Sequence, residues 1–112
     1  MTVCDLSKKH CVPCEGGVPP LTAEQAKGFL QTLVGWEWEG KQILKHYKFK
    51  DFNENMGFVT RVGLVAEAEG HHPDLNIHGW NRLTITLWTH AIGGLSENDF
   101  IVAAKIDALE SR

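Results

Sequence analysis

Apolar residues recur along this chain with two periods, one helical and one alternating, and each stretch is bounded by residues that cap helices or turn strands. From Thr22, with Gln25 as a capping-box partner, Ala26, Phe29, Leu30 and Leu33 fall on one helical stripe that runs to Gly35. Residues 36–39 alternate, Gly40 interrupts, and Ile43, Tyr47 and Phe49 keep even spacing within 42–49, which predicts two paired strands. Asp51 is placed to cap a second helix, with Phe52, Met56, Val59, Val62 and Ala66 as its buried stripe and Gly70 as the left-handed residue that ends it. Two more strands follow at 75–78 and 83–89, joined through Gly79-Trp80-Asn81-Arg82. Leu83, Ile85 and Leu87 point to one face, while Thr84, Thr86, Trp88 and His90 share the other. Ser96 then caps a last helix carrying Phe100, Ile101, Ala104 and Leu109.

The predicted order is α-β-β-α-β-β-α. Two hairpins separated by a helix predict a single α+β domain, a four-stranded antiparallel sheet with helices packed on one face. This domain spans 21–112, after an irregular arm over 1–20 that is rich in Cys, Pro and Gly. One sheet face is left for solvent or a second subunit. A residue as large as Trp88 on that face predicts self-association, as a homodimer or homotetramer.

Composition narrows the function classes. A chain of 112 residues has no room for a dinucleotide-binding fold beside a substrate domain, and neither G-x-G-x-x-G nor G-x-x-x-x-G-K-[ST] occurs. A net charge of −3 argues against a nucleic-acid binder. The one basic stretch, Lys41, Lys45, Lys48 and Lys50, reads as a solvated strand edge. No apolar run is long enough to cross a bilayer and no signal-peptide pattern opens the chain, so a cytoplasmic location without membrane contact is expected. Cys4, Cys11 and Cys14 all lie in the arm, so no disulfide can staple the main body. With His10 they could complete a structural zinc site, against a default of a reduced arm without metal.

Six histidines stand out in so short a chain, and His71, His72, His78 and His90 lie close together in sequence. Adjacent imidazoles after a helix end are poor core filler, because neighbouring side chains diverge and each buried ring nitrogen needs a partner. The pair reads as a proton-transfer group or as a plain turn. A metal site is the third use of the same atoms, and its usual helical or C-x-x-C spacing is missing. Glu67, one turn before the helix end, could orient an imidazole or simply be solvated. His46 and His78 sit inside strand patterns and are assigned exposed or hydrogen-bonded structural roles.

These residues carry a resemblance. Glu67-x-x-x-His71-His72-Pro73, followed at fixed separations by Trp80, His90 and Asp99, resembles the signature of the pterin-4a-carbinolamine dehydratase family. Val34-Gly35-Trp36, Phe49-Lys50-Asp51-Phe52, Leu83-Thr84-Ile85-Thr86-Leu87 and Gly94-Leu95-Ser96 are similar to the family as well, so the likeness runs from about Leu21 to Leu109. Gly70 and Trp88 replace the acidic and small hydroxyl residues of animal members, which makes a bacterial-type member the nearer comparison.

The resemblance implies conversion of 4a-hydroxytetrahydropterin to quinonoid dihydropterin and water, in support of tetrahydropterin recycling after an aromatic amino-acid hydroxylase. It implies catalysis by His71, His72, His90 and Glu67. His71 and His90 would be the acid/base pair, His72 would orient the substrate, and Glu67 would keep the neighbourhood of His71 in register. Gly70, Pro73, Trp80, Trp88 and Thr89 would bind the pterin, with the two tryptophans as apolar wall. No cofactor is required. Two other roles stay open on the same fold, a protein-interaction or dimerisation cofactor and a non-catalytic pterin-binding module. Phe58, Val62 and Val65 are the candidate partner surface of the second helix, equally well explained as core.

Overall fold

In the computed structural model, residues 6–12 and 19–110 are described. The elements are α1 (Ala23–Leu30), β1 (Glu37–Glu39), β2 (Gln42–Lys48), α2 (Phe52–Glu69), β3 (Asp74–His78), β4 (Arg82–Leu87) and α3 (Glu97–Leu109). Short 3-10 turns at Leu6–Lys8 and His90–Ile92 complete them. The four strands are antiparallel in the order β1-β2-β4-β3. No helix among the described residues is long and apolar enough to cross a membrane.

Local chemistry accounts for most boundaries. Thr22 and Gln25 form the reciprocal capping box that opens α1. The helix ends at Leu30 rather than running to Gly35, because the Thr32 hydroxyl donates to the Phe29 carbonyl at 2.7 Å and draws the chain into a tighter turn. Asp51 accepts from the Glu54 N–H at 2.8 Å to open α2, and Gly70 closes it at φ 65°.

The core lies between the sheet and the helices. Leu83, Ile85 and Leu87 of β4 are fully buried, against Phe58, Val62 and Ala66 of α2 and Phe100, Val102 and Ile106 of α3. The buried stripe of α2 is therefore Asn55, Phe58, Val62 and Ala66, while Phe52 and Met56 face solvent. The expected stripe is rotated because Asn55 Nδ2 donates to the carbonyls of Trp80 and Arg82, both at 3.0 Å, tying the helix to the β3–β4 hairpin. Phe58 and Val62 are consequently core and Val65 is half-buried, so they do not form a partner surface; the large exposed apolar residues of α2 are Phe52, Met56 and Leu64.

Of the basic stretch, Lys41, Lys48 and Lys50 are solvated as expected, but Lys45 is not and the strand is no edge. β2 is an interior strand, and Lys45 pairs across from Ile85 on the core face. Its ammonium donates to Asp107 at 3.0 Å and Glu110 at 2.7 Å and is almost wholly buried. Burial pushes the Asp107 carboxyl up, opposed by hydrogen bonds from Trp36 Nε1, the Val34 N–H and Lys45. On the open face, His46 and His78 both meet the Thr84 hydroxyl, at 3.0 and 3.2 Å, hydrogen-bonded and exposed as expected.

Candidate active site

Helix termination delivers the histidine pair. After Gly70 turns left-handed, the His71 N–H returns to the Ala66 carbonyl at 3.2 Å, so the histidine pair leaves the end of α2 with the first of its two N–H groups already satisfied. Their side chains diverge. His71 turns inward, with its side chain 13% exposed and Nε2 2.6 Å from Asp99 Oδ1. His72 turns outward, and its Nε2 lies 2.9 Å from Glu67 Oε1, both groups well exposed. Glu67 therefore orients His72, and the partner of His71 is Asp99.

Asp99 is the residue that the sequence reading left without a role, entering only as a spacing anchor. It sits in the first turn of α3 with no solvent exposure. Its Oδ2 accepts from the Ser96 N–H at 2.9 Å and the Thr89 hydroxyl at 2.8 Å, leaving Oδ1 for His71. An acceptor-only carboxylate selects the His71 tautomer with the proton on Nε2, which leaves Nδ1 with its lone pair. The helix N-terminus favours that negative charge. The available signal was Ser96-x-x-Asp99, which places a carboxylate at a helix start; nothing in the linear chain points it at His71.

His90 comes from a different element than expected. β4 ends at Leu87, Thr89 bridges to Gly94, and His90 opens the 3-10 turn that Gly93 closes at φ 65°. The alternation of β4 nevertheless continues past the strand end, with Leu87 and Thr89 buried, Trp88 half-buried and His90 exposed, so Trp88 and His90 keep the parity of Thr84 and Thr86, away from the aliphatic core. The Trp88 and His90 ring centroids are 3.8 Å apart, and the Lys41 ammonium lies 5.3 Å from the Trp88 ring.

These segments border an open cavity of about 650 Å³. His71, His72 and His90 line it together with Gly70, Pro73, Trp88 and Thr89. Glu67 reaches it only through His72, and Trp80 does not line it. Trp80 stands at the tip of the β3–β4 hairpin with φ 53° and 59% exposure. Cys11, Val12, Glu69, Asp74, Ala91 and Asn98 also line the cavity; of these the sequence singled out only Cys11, and as a zinc ligand rather than a wall of this site.

The family profile of pterin 4 alpha carbinolamine dehydratase matches residues 19–109. The chain belongs to that family. A Nitrosospira multiformis protein provisionally named as this dehydratase is 48% identical over 108 residues, covering 96% of this chain and 95% of that one. The Arabidopsis thaliana pterin-4-alpha-carbinolamine dehydratase 2, mitochondrial, is 44% identical over 97% of this chain and 61% of its own. Among solved structures, the Brucella melitensis transcriptional coactivator/pterin dehydratase superposes with a TM-score of 0.76 at 35% identity, covering 80% of this chain and 97% of that one. A pterin dehydratase-like protein described as a RuBisCO assembly factor of the alpha-carboxysome gives 0.57 at 27% identity, over 67% of this chain and 88% of that one.

The histidine cavity of this dehydratase family member is bordered by its arm. Cys4 and Cys14, half of the zinc set considered above, lie outside the described residues. Among the described residues no cluster of three or more His, Cys, Asp or Glu is poised for a metal ion. His10 and Cys11 both engage Glu69, through the His10 ring at 3.0 Å and the Cys11 N–H at 2.7 Å. Burial, reinforced by the Glu69 carboxylate, pushes the Cys11 thiol up to about 12. At neutral pH that thiol is a neutral wall group rather than a nucleophile.

Proposed function

We propose that the protein dehydrates 4a-hydroxytetrahydropterin to quinonoid dihydropterin by histidine general acid/base catalysis. The observation that carries this reading is the meeting of His71, His72 and His90 on one cavity, with His71 held by the buried Asp99. The reaction expels the 4a hydroxyl as water while N5 supplies the electron pair and sheds its proton. Substrate and product plus water balance with no oxidant or nucleotide, so the chemistry asks only for a proton donor and a proton acceptor.

His71 and His90 take these two roles. Asp99 fixes the orientation and tautomer of the His71 ring, and His90 is backed by the Trp88 ring. His72, steered by Glu67 at the exposed side, binds and orients the substrate. Trp88 offers apolar surface to the flat bicycle. The same reading places the protein in the cytoplasm, in tetrahydropterin recycling beside an aromatic amino-acid hydroxylase, and as a homo-oligomer. Exposed Leu64 on α2 and the half-covered Leu75 and Ile77 on edge strand β3 support self-association.

The test follows the ultraviolet decay of freshly generated 4a-hydroxytetrahydropterin, corrected for its spontaneous loss. His71→Ala and His90→Ala should each lower the enzymatic rate by about 10²-fold or more. Rates equal to wild type in both variants would remove the assignment, and a wild type no faster than the spontaneous reaction would remove the activity itself.

A further inference from the structure

Residues 9–12 lie outside the segment shared with the family profile, yet they are bound into the site. The Lys9 ammonium pairs with Glu97. The Cys11 N–H donates to Glu69 Oε1 at 2.7 Å. Asn98 clamps Val12 from both sides, its Oδ1 accepting from the Val12 N–H at 3.1 Å and its Nδ2 donating to the Val12 carbonyl at 2.6 Å. Both anchors adjoin the chemistry: Glu69 precedes Gly70 and His71, and Asn98 precedes Asp99. Leu6, buried to 3% exposure, fixes the start of this strap in the core.

The hydrogen bonds decide what such a strap can recognise. The N–H groups of Cys11 and Val12 and the Val12 carbonyl are already engaged by Glu69 and Asn98. Toward the cavity, Cys11 and Val12 therefore offer side-chain surface, a thiol and an isopropyl group, and little capacity to read the donor and acceptor pattern of a heterocycle. Apolar surface discriminates by size, and on a pterin the part that varies in size is the substituent at C6. We propose that residues 9–12 form a specificity wall of the pterin site, in which Cys11 and Val12 set the tolerance for the C6 substituent and take no part in proton transfer. The inference rests on the dehydratase reading above.

Val12 is 66% exposed and its backbone makes the clamp, so replacing its side chain should leave the fold intact. Val12→Ala and Val12→Trp are compared with wild type on 4a-hydroxytetrahydropterins bearing a methyl or a dihydroxypropyl group at C6. Val12→Trp should raise KM for the larger substrate relative to the smaller by about 5-fold or more, with kcat within twofold, because crowding in an apolar wall is worth about one decade per group. Val12→Ala should relax that preference. A KM ratio unchanged in both variants, or a loss confined to kcat, overturns the proposal. Fluorescence titration of the tryptophans with 6-methyl- and 6-dihydroxypropyl-7,8-dihydropterin, which carry no 4a hydroxyl to lose, gives the same size ratio without turnover. An inactive wild type would thus defeat the dehydratase reading while the titration still decides on the wall.

Discussion

Replacing Asp99 by Asn tests whether the buried carboxylate sets the tautomer of His71. The position of Oδ2 must remain an acceptor, since it receives the Ser96 N–H at 2.9 Å and the Thr89 hydroxyl at 2.8 Å. The amide carbonyl therefore takes that place, and the opposite rotamer would set NH₂ against the Ser96 N–H. The amide NH₂ then faces His71 Nε2 from the site of Oδ1, 2.6 Å away in the wild type. Nε2 must become the acceptor, so neutral His71 carries its proton on Nδ1 and has no lone pair left for substrate. Losing one general acid/base group lowers the rate by about 10²–10⁴-fold, or about 3–5 kcal/mol of barrier. Two of the three hydrogen bonds survive, so the folding cost is limited to about 1–3 kcal/mol for the charge-assisted bond. Stopped-flow absorbance of the 4a-hydroxypterin gives kcat, and urea unfolding gives the stability. A folded Asp99→Asn protein with kcat within twofold of wild type would refute the reasoning.

Two further outcomes follow from the strap. Burial favours the neutral Glu69 carboxyl, but the Cys11 N–H, His10 and Lys105 outweigh it and hold Glu69 below the usual carboxylate range. Its charge therefore contributes stability above about pH 4.3 that is lost as pH falls through the lower folded value. Glu69→Gln should be about 1 kcal/mol less stable than wild type at pH 7, the difference between a charged and a neutral acceptor. Urea unfolding from pH 7 to pH 3 should show that gap closing, and a constant gap would contradict the charge argument. With its thiol pushed up to about 12, Cys11 should be alkylated by iodoacetamide at pH 8 about 10²–10³-fold more slowly than an unperturbed cysteine. Peptide mass mapping separates it from Cys4 and fragment masses separate it from Cys14, and alkylation of Cys11 at the free-thiol rate would oppose the assignment.

What could be read from the linear chain is what depends on neighbours within about one helical turn. The caps at Thr22 and Asp51, the left-handed stop at Gly70 and the alternation of Leu83, Ile85 and Leu87 are local interactions, and they give the element order and the helix-covered sheet. They also bring His71 and His72 to a helix end beside Glu67. Tertiary structure decided where polar groups found partners, because a buried donor or acceptor must be satisfied by whatever the fold brings near it. Asn55 rotated α2 away from its most apolar stripe by bonding to residues 25 and 27 positions on. Lys45 entered the core face to meet Asp107 and Glu110, against the expectation for an isolated lysine. His71 was given to Asp99 and His72 to Glu67, a division that sequence proximity alone put the other way. The turn closed by Gly93 and the end of α2 brought His90 and the histidine pair to one cavity, and packing on α3 brought the arm against it. Periodicity specifies which side chains are buried together, but not which of the buried polar atoms meet, and in this protein that second choice builds the site.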